Sequence, residues 1–409
     1  MESKKPSSEF DSLDPSLRWD DRTFLIFNNP IFRYNSFMNY FFPFLGALVL
    51  STILTGLMRS LGLKYGIVSR PRARDIHKKP LPRIGGVAIA GSFIIVTFIV
   101  FSFIYPNLHF TGLKIFGLDR HLYGILSGGL LISATMLYDD IIGLKSYKKL
   151  LIQVIISLVV IASGIGIDHL ANPFGNALDL NSVYVPIFTL HGIVYHFSLW
   201  SDLLTLLWLV MMMNVINFVD GVDGLAGGLS GIASFVIFLL SITLLVNQPA
   251  TAMISIILCG SALGFLIWNF PPAKIFMGDS GSMFLGLMLG ILPLLSGGKL
   301  ATTFLVLGFP IVDGIFVALS RLLRGKNPIT TPDKTHLHHR FLLAGFTPRQ
   351  AVLSIYLIAA LFGWVALRST TYDKMIASIV LIFSLLILIM ILNLVSKYKK
   401  KHNSLTNNI

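Results

Sequence analysis

The chain contains a succession of apolar runs, each close to the ~20 residues that an α-helix needs to cross about 30 Å of hydrocarbon. They occupy residues 37–58, 84–105, 121–138, 149–166, 199–219, 225–246, 251–269, 282–297, 300–320, 350–368 and 375–396. Hydrophobic residues make up 54% of the 409 residues and charged residues only 12%, which excludes an ordinary soluble globular protein. The sequence therefore predicts an all-α, polytopic integral membrane protein with about eleven transmembrane helices.

The loops between these runs differ in positive charge. Loops on one side, with the C-terminal tail, hold 22 of the 32 Lys and Arg residues, and those on the other side hold 10. Because cytoplasmic loops are rich in Lys and Arg, the N-terminus is predicted to lie outside and the C-terminus in the cytoplasm. This topology explains the positive charge, so we expect no nucleic-acid partner. We divide the chain into a polar extension (1–36), a transmembrane domain (37–396) and a basic cytoplasmic tail (397–409).

The loop between the fourth and fifth runs, 168–201, has no Lys or Arg and alternates in Ser182-Val-Tyr-Val-Pro-Ile-Phe. This alternation predicts a short β-hairpin.

One apolar run ends in a cluster of polar residues, in the sequence W-L-V-M-M-M-N-V-I-N-F-V-D-G-V-D-G-L-A-G-G from 208 to 228. Asn214, Asn217, Asp220 and Asp223 are spaced by three, so they share one face as long as the helix continues. The glycines at 221 and 224 predict that the helix ends near Asp220. A helix cap would explain one such residue. Four polar groups at the edge of hydrocarbon indicate part of an active site.

The first predicted cytoplasmic loop, 70–86, reads R-P-R-A-R-D-I-H-K-K-P-L-P-R-I-G-G. Its charge alone would be explained by topology or by contact with anionic lipid heads. The prolines and the Gly85-Gly86 pair favour a shaped loop that enters a helix, with Lys78 and Arg83 suited to bind phosphate oxygens.

The second motif is the pair Asp139-Asp140, followed by I-I-G-L-K-S-Y-K-K. The pair lies at the C-terminal end of a predicted helix, where the helix dipole opposes negative charge. A hydrated helix end is the simpler interpretation. The functional one is a general base, a nucleophile or a metal ligand, with Lys149 nearby to hold a phosphate.

The third motif, P-P-A-K-I-F-M-G-D-S-G-S, runs from 271 to 282. Asp279 would serve as a turn or helix cap. Its carboxylate also suits Mg²⁺, which takes one or two carboxylates together with substrate phosphates. Phe276 is placed to stack on a nucleotide base.

The fourth motif is T-T-P-D-K-T-H-L-H-H-R, from 330 to 340. A zinc site on His336, His338 and His339 is disfavoured because the spacing is crowded and no cysteine is nearby. With Arg340, the histidines are better suited to an anion-binding clamp.

These motifs, in this order and all on one predicted face, resemble the polyprenyl-phosphate N-acetylhexosamine-1-phosphate transferase family (glycosyltransferase family 4) between about Arg70 and Arg349. H-L-H-H-R and the following L-L-A-G-F-T-P-R-Q are more similar to the undecaprenyl-phosphate GlcNAc-1-phosphate transferase branch than to the branch that uses UDP-MurNAc-pentapeptide. The resemblance implies transfer of a sugar-1-phosphate, expected to be GlcNAc-1-phosphate, from a UDP-sugar to undecaprenyl phosphate with release of UMP. This is a first membrane step of cell-envelope polysaccharide synthesis, such as that of lipopolysaccharide or teichoic acid, in the cell inner (cytoplasmic) membrane.

The resemblance also implies roles for the residues. Mg²⁺, for which Mn²⁺ could substitute, would be held by Asp279 and Asn217. The implied catalytic residues are Asp139, Asp140, Asp220, Asp223 and His338, and the implied substrate-binding residues are Lys78, Arg83, Lys149, Asn214, Phe276, His336, His339 and Arg340. The expected partners are undecaprenyl phosphate, a UDP-N-acetylhexosamine and membrane lipid. A homodimer is an alternative that the resemblance does not decide.

Two other functions stay in view. Within the family, the sugar could be MurNAc-pentapeptide or another N-acetylated deoxyhexosamine. Outside it, a transporter would also use intramembrane carboxylates. A transporter is disfavoured because the polar residues lie at the ends of the runs, on one face, and because no internal repeat is evident in the sequence.

Overall fold

A computed structural model of the chain describes residues 34–69, 80–110, 113–115, 118–170, 172, 174–175, 177–190, 193–243, 246–296, 300–323, 325 and 337–406. Nearly all of the predicted polar extension lies outside the described residues. So do Lys78 and His336, two of the predicted substrate-binding residues.

Thirteen helices are described. They are α1 (Tyr34–Lys64), α2 (Gly86–Ile99, continued by a π-helical turn at Val100–Ile104), α3 (Arg120–Ile142), α4 (Ser146–Ala162), α5 (Leu199–Val219), α6 (Leu225–Ser241), α7 (Pro249–Asn269), α8 (Asp279–Leu295), α9 (Leu300–Val306), α10 (Gly308–Leu323), α11 (Leu337–Leu343), α12 (Pro348–Arg368) and α13 (Thr371–Thr406). The described chain is therefore dominated by helices, as the sequence predicts.

The described strands form four two-stranded antiparallel pairs. These are β1 (Val68–Ser69) with β2 (Leu81–Pro82), β3 (Lys114–Ile115) with β4 (Leu118–Asp119), β5 (His169–Leu170) with β6 (Leu178–Asp179), and β7 (Tyr184–Leu190) with β8 (Ile193–Ser198). The pair β7–β8 has a register irregularity between Pro186 and Phe188. It confirms the hairpin predicted between the fourth and fifth apolar runs.

Seven of the described helices are long and apolar enough to cross a membrane: α1, α2 with its π-helical turn, α3, α5, α7, α12 and α13. Helices α9 and α10 meet at a bend of 80° and would form an eighth span if taken together. Helices α4, α6 and α8 have 17 residues each, which is short for a span. The chain is thus a polytopic, all-α membrane protein. Every predicted run coincides with a helix or with the bent pair.

Two helices, α7 and α8, lie at the centre of the bundle, and nearly all their side chains are buried by neighbouring helices. Helix α1 packs along α7, where the Ser51 hydroxyl donates to the Ser261 carbonyl at 2.7 Å. Helices α3 and α5 pack along α8, and the Trp208 indole N–H of α5 donates to the Gly290 carbonyl at 2.9 Å. Helix α8 is therefore held from several sides.

The helices do not all run in the same direction, so one end of the bundle contains the C-termini of some helices and the N-termini of others. Helices α3, α5 and α7 end there, and α2, α4, α6, α8 and α12 begin there. Four of the five motifs, those at 80–86, 139–149, 214–224 and 271–282, lie at this end. These four motifs therefore share one end of the bundle, as predicted.

Candidate active site

The Asp139-Asp140 pair lies in the last turn of α3, as predicted, and two neighbouring segments relieve its unfavourable position. The chain turns at Gly143, whose φ of 80° suits glycine. The Leu144 backbone N–H then donates to Asp139 Oδ1 at 2.6 Å. Both carboxylates are buried, with side-chain exposures of 3% for Asp139 and 0% for Asp140. Buried carboxylates need partners, so this is not a hydrated helix end.

Asp140 caps a helix other than its own. Asp279 and Ser280 are the first two residues of α8. Their backbone N–H groups donate hydrogen bonds to Asp140 Oδ1 and Oδ2, at 2.9 and 3.0 Å. The positive end of the α8 dipole thus compensates the negative end of α3. Asp279 is not the helix cap that its sequence position allows. It is instead the first residue of α8, and the capping carboxylate comes from 139 residues earlier in the chain.

Two cations bind the three carboxylates together. Lys149 Nζ lies 2.6 Å from Asp139 Oδ2 and 2.7 Å from Asp279 Oδ2. The Arg83 guanidinium lies 2.8 Å from Asp279 Oδ1 and 3.4 Å from Asp140 Oδ1. The side chains of Lys149 and Arg83 remain 25% and 44% exposed, so both can also reach a ligand at the surface. We call these five residues the charged cluster.

The starts of α2 and α8 touch each other directly beside the charged cluster. A Cβ atom placed on Gly86 would lie 2.0 Å from the Gly281 nitrogen, so the contact requires glycine. The preceding loops are also joined, because the N–H groups of Gly85 and Gly86 donate to the Phe276 and Met277 carbonyls at 3.0 and 2.7 Å. Two helix N-termini therefore lie side by side, an arrangement that favours binding of an anion.

The polar end of α5 contacts the first turn of α8. Helix α5 ends at Val219 with Asp220 as its C-cap, which confirms the predicted end near Asp220. The Asn217 side-chain amide donates to Ser282 Oγ at 2.9 Å, one turn into α8 from Asp279. The Asn214 amide nitrogen donates to Gln153 of α4 and to the Val210 carbonyl, each at 2.8 Å. Both amide hydrogens of Asn214 are thus used within the protein.

Asp220 and Arg83 have perturbed acidities with identifiable causes. Burial raises the pKa of Asp220 well above its usual value, and the negative charges of Asp279, Asp140 and Asp223 raise it further against the opposing effect of Arg83. Burial acts to lower the pKa of Arg83, but the surrounding carboxylates, Asp279 first, outweigh burial and raise it. Asp220 therefore carries a proton to higher pH than an ordinary aspartate, next to an arginine that stays charged.

Asp223 and Phe276 belong to two loops that lie against each other. Asp223 Oδ2 accepts from the Ala273 N–H at 2.9 Å, and Phe276 is partly buried. Helix α12 supports these loops: the Arg349 Nε donates to the Pro271 carbonyl at 2.8 Å, and the Tyr356 hydroxyl to the Gly224 carbonyl at 2.5 Å. Asp223 and Phe276 therefore lie on an organised surface next to the charged cluster.

The histidine motif is described only in part. His338 lies in α11, but its side chain is outside the described residues, and His339 is partly buried. The Arg340 guanidinium donates to Asn393 Oδ1 of α13 at 2.7 Å and stacks over Phe316 of α10. Helix α11 begins where the Leu337 N–H donates to Asp313 Oδ1 of α10 at 2.9 Å. The described contacts connect this motif to α10 and α13, and the predicted clamp stays a prediction.

Sequence reasoning missed three residues that build the site. Gln153 is 1% exposed and holds Asn214, Asp313 is 6% exposed and holds the start of α11, and Arg349 supports the 270–276 loop. A signal existed for the first two, because each is a polar residue inside an apolar run. Arg349 follows a helix start and has no such signal.

The chemistry of the charged cluster suits a divalent cation. Asp139, Asp140 and Asp279 each offer a carboxylate oxygen, and these oxygens lie within 4.8 Å of one another. Carboxylates are the ligands that Mg²⁺ prefers, and Mg²⁺ also binds substrate phosphates. Asp279, for which the resemblance implies a metal-binding role, thus lies together with the α3 pair, for which a metal ligand is one of the predicted alternatives. Asn217 lies one turn further along α8, at Ser282.

Known proteins resemble this chain over most of its length. The family model described as glycosyl transferase family 4 matches residues 122–297. A probable undecaprenyl-phosphate N-acetylglucosaminyl 1-phosphate transferase of Bacillus subtilis (strain 168) is 34% identical over 358 residues, covering 85% of this chain and 90% of that protein. A decaprenyl-phosphate N-acetylglucosaminephosphotransferase of Mycolicibacterium smegmatis (strain ATCC 700084 / mc(2)155) is 32% identical, covering 80% and 82%. An undecaprenyl-phosphate alpha-N-acetylglucosaminyl 1-phosphate transferase of Salmonella typhi is 27% identical, covering 78% and 81%.

Proposed function

The chain belongs to glycosyl transferase family 4, in the branch of the polyprenyl-phosphate N-acetylglucosamine-1-phosphate transferases, and from that premise we propose that it transfers GlcNAc-1-phosphate from UDP-GlcNAc to undecaprenyl phosphate. The products are UMP and a lipid-linked sugar diphosphate. We further propose that this is the first membrane step of a cell-envelope polysaccharide pathway, in the cell inner membrane. The names of the relatives support a polyprenyl phosphate acceptor and transfer of GlcNAc-1-phosphate, and the charged cluster supports the chemistry.

The observation that carries the proposal is the convergence of three carboxylates and two cations at one end of the bundle. Attack of one phosphate on another is opposed by charge, so catalysis requires cations and in-line positioning. Lys149 and Arg83 are partly exposed and already held in place by Asp279. Their hydrogen bonds can pass to phosphate oxygens of the two substrates as these arrive.

The two aspartates of α3 are suited to different tasks. Both oxygens of Asp140 accept backbone N–H bonds from α8, which fixes the carboxylate in place. Asp139 Oδ2 pairs with Lys149 and accepts no backbone bond from the described residues. We propose that Asp139 Oδ2 accepts the proton of the lipid phosphate, or binds that phosphate through Lys149, while Asp140 positions α8. Bound Mg²⁺, held by Asp139, Asp140 and Asp279, would supply positive charge to neutralise the phosphates.

The other predicted residues are proposed to bind the remainder of the donor. Phe276 and the carboxyl groups of Asp220 and Asp223 would face the uridine, since they lie on the loops next to the charged cluster. His336, His338, His339 and Arg340 would clamp the pyrophosphate and sugar, with Lys78 binding phosphate and Asn217 completing the metal site. Asn214 is proposed to act through its contact with Gln153.

We propose eleven transmembrane segments, with the site facing the cytoplasm. Four of the five motifs lie at one end of the bundle, and that end carries the loops rich in Lys and Arg, which supports this orientation. The short helices α6 and α8 can serve as spans because their site-facing ends are buried in protein rather than exposed to lipid. The division into extension, transmembrane domain and tail follows from the same topology.

The test uses the full chain, purified in detergent, with undecaprenyl phosphate, Mg²⁺ and one radiolabelled donor at a time. UDP-GlcNAc should yield a labelled lipid and UMP in equal amounts. UDP-MurNAc-pentapeptide and UDP-linked N-acetylated deoxyhexosamines are the competing donors. The matched variant is Lys149→Met, which removes the cation between Asp139 and Asp279 but keeps the side-chain length.

Different outcomes would contradict different parts of the proposal: the donor, the role of the charged cluster, or the transfer reaction itself. Consumption of UDP-MurNAc-pentapeptide in place of UDP-GlcNAc would contradict the proposed donor and leave the family intact. Transfer at full rate by Lys149→Met would contradict the role of the charged cluster. Transport of a UDP-sugar into sealed vesicles, without any labelled lipid, would favour the transporter.

A further inference from the structure

A pair of side-chain amides joins α4 to α5 inside the bundle. Asn214 Nδ2 donates to Gln153 Oε1 at 2.8 Å, and Gln153 Nε2 lies 3.5 Å from Asn214 Oδ1 and 3.4 Å from Met283 Sδ of α8. Gln153 is 1% exposed. The other buried residues of α4 include the apolar Ile156 and Val160.

Gln153 follows Lys149 by four residues, so the two side chains lie on the same face of α4, one turn apart. Lys149 contacts Asp279 at the start of α8, and Gln153 contacts Met283 one turn further along α8. Along the facing side of α5, Asn214 binds Gln153 and Asn217 binds Ser282. Polar contacts therefore link α4, α5 and α8 in two successive helical turns, of which the first contains the charged cluster.

An apolar contact between helices tolerates small rotations and shifts, because hydrophobic attraction has no direction. A buried amide pair does not, because both groups must keep their hydrogen-bond geometry or remain unsatisfied. The Gln153–Asn214 pair therefore fixes the rotation and depth of α4. Lys149 projects from the same face, so the pair also sets whether its ammonium can reach Asp139 and Asp279 together.

We infer that Gln153 is a positioning residue for the transfer reaction, one that acts through Lys149 by means of its amide pair with Asn214. The inference rests on the proposed function, because it assigns Lys149 a part in phosphate binding. Gln153 lies one helical turn further along α4 than Lys149 and is assigned no contact with substrate.

The first experiment is a double-mutant cycle on the purified full chain. Gln153→Leu alone should lower kcat by ~10-fold or more, since displacements near 1 Å at a reacting centre can cost ~10²-fold. In a Lys149→Met background, the same change should lower kcat by less than about 2-fold, because coupled residues are not additive. The control is Ser157→Ala, one turn further on the same face of α4, where the buried hydroxyl has no partner among the described residues. It should leave kcat unchanged.

The second measurement does not depend on activity. An amine-reactive reagent is applied to folded wild type, Gln153→Leu and Gln153→Met, and modification of each lysine is followed by mass spectrometry. Lys149 should react several-fold faster in both variants than in wild type, because its ion pairs are loosened. The exposed Lys145 and Lys148 on the same segment are internal standards and should not change.

Equal losses of kcat from Gln153→Leu in both backgrounds, with unchanged Lys149 reactivity, would show that Gln153 is merely structural and would overturn the inference. If Gln153→Leu does not fold, the same measurements on Gln153→Met, including the labelling of Lys149, decide the question. If wild type transfers no sugar phosphate from any donor, the proposed function fails. The labelling result then still tests whether Gln153 positions Lys149.

Discussion

The close contact between Gly86 and Gly281 leads to a sharp prediction for Gly86→Ala. The new Cβ would lie 2.0 Å from the Gly281 nitrogen and 2.3 Å from its Cα, and both are backbone atoms that cannot rotate away. Ordinary van der Waals contact begins at 3.4 Å. The starts of α2 and α8 must therefore separate by about 1.4 Å.

This separation acts on the charged cluster at two points. It breaks or lengthens the bond from the Gly86 N–H to the Met277 carbonyl, which is 2.7 Å long. It also moves Arg83, three residues before Gly86, away from Asp279. A displacement of this size at a reacting centre lowers turnover by roughly 10². Overpacking costs about 1–3 kcal/mol of stability, partly offset by the ~0.5–1 kcal/mol gained when alanine replaces glycine in a helix.

The matched control is Gly91→Ala in the same helix. Its Cβ would meet only Leu54 Cδ1, at 3.6 Å, so no movement is needed. This variant should keep full turnover and gain a little stability. Turnover of UDP-GlcNAc and the thermal unfolding midpoint are measured for both variants and for Gly281→Ala, whose Cβ would lie 2.5 Å from the Gly86 Cα. Wild-type turnover by Gly86→Ala would refute the idea that this contact sets the geometry of the cluster.

Three further predictions concern the carboxylates. Replacing Asp139 and Asp140 together by Asn should lower turnover by at least ~10² in a folded protein, and near-normal turnover would contradict their role. Chelation should abolish activity and Mg²⁺ or Mn²⁺ should restore it, whereas Asp279→Ala with full activity and unchanged Mg²⁺ dependence would show that this residue is no ligand. Because the pKa of Asp220 is raised in the folded protein, the native state holds an extra proton above the usual aspartate range and loses stability as pH rises through that interval. The stability gained by Asp220→Asn should therefore grow with pH in thermal unfolding measurements, and a gain that is constant with pH would be inconsistent with the raised pKa.

The sequence predicted those features of the fold that depend on neighbouring residues. Apolar runs predicted the helices, and the glycines after Asp220 predicted the end of α5. The Gly85-Gly86 pair predicted a loop that enters a helix, and α2 begins at Gly86. In each case the deciding interactions lie within one turn of helix or one loop, so the pattern alone carries the information.

Features that depend on distant pairing could not be read in this way. The sequence indicates that the carboxylates of α3 are unfavourably placed, but nothing in it indicates that α8 provides the compensating N–H groups for Asp140. The sequence does not indicate that Gln153 is the partner of Asn214. The partners lie 61 and 139 residues apart, and their pairing follows from how the helices pack.

The pairing of Arg83 with Asp279 also has a consequence for how the protein is made. The two residues are separated by 196 positions, so during synthesis at roughly 5–20 residues per second the arginine is present for about 10–40 s before its partner emerges. Lys149 likewise precedes Asp279 by 130 positions. Until α8 enters the membrane, each of these charges must remain at the water-facing end of its own segment. Insertion of α8 is thus the event that completes the cluster, because until then Lys149 and Arg83 have only Asp139 and Asp140 as cluster partners.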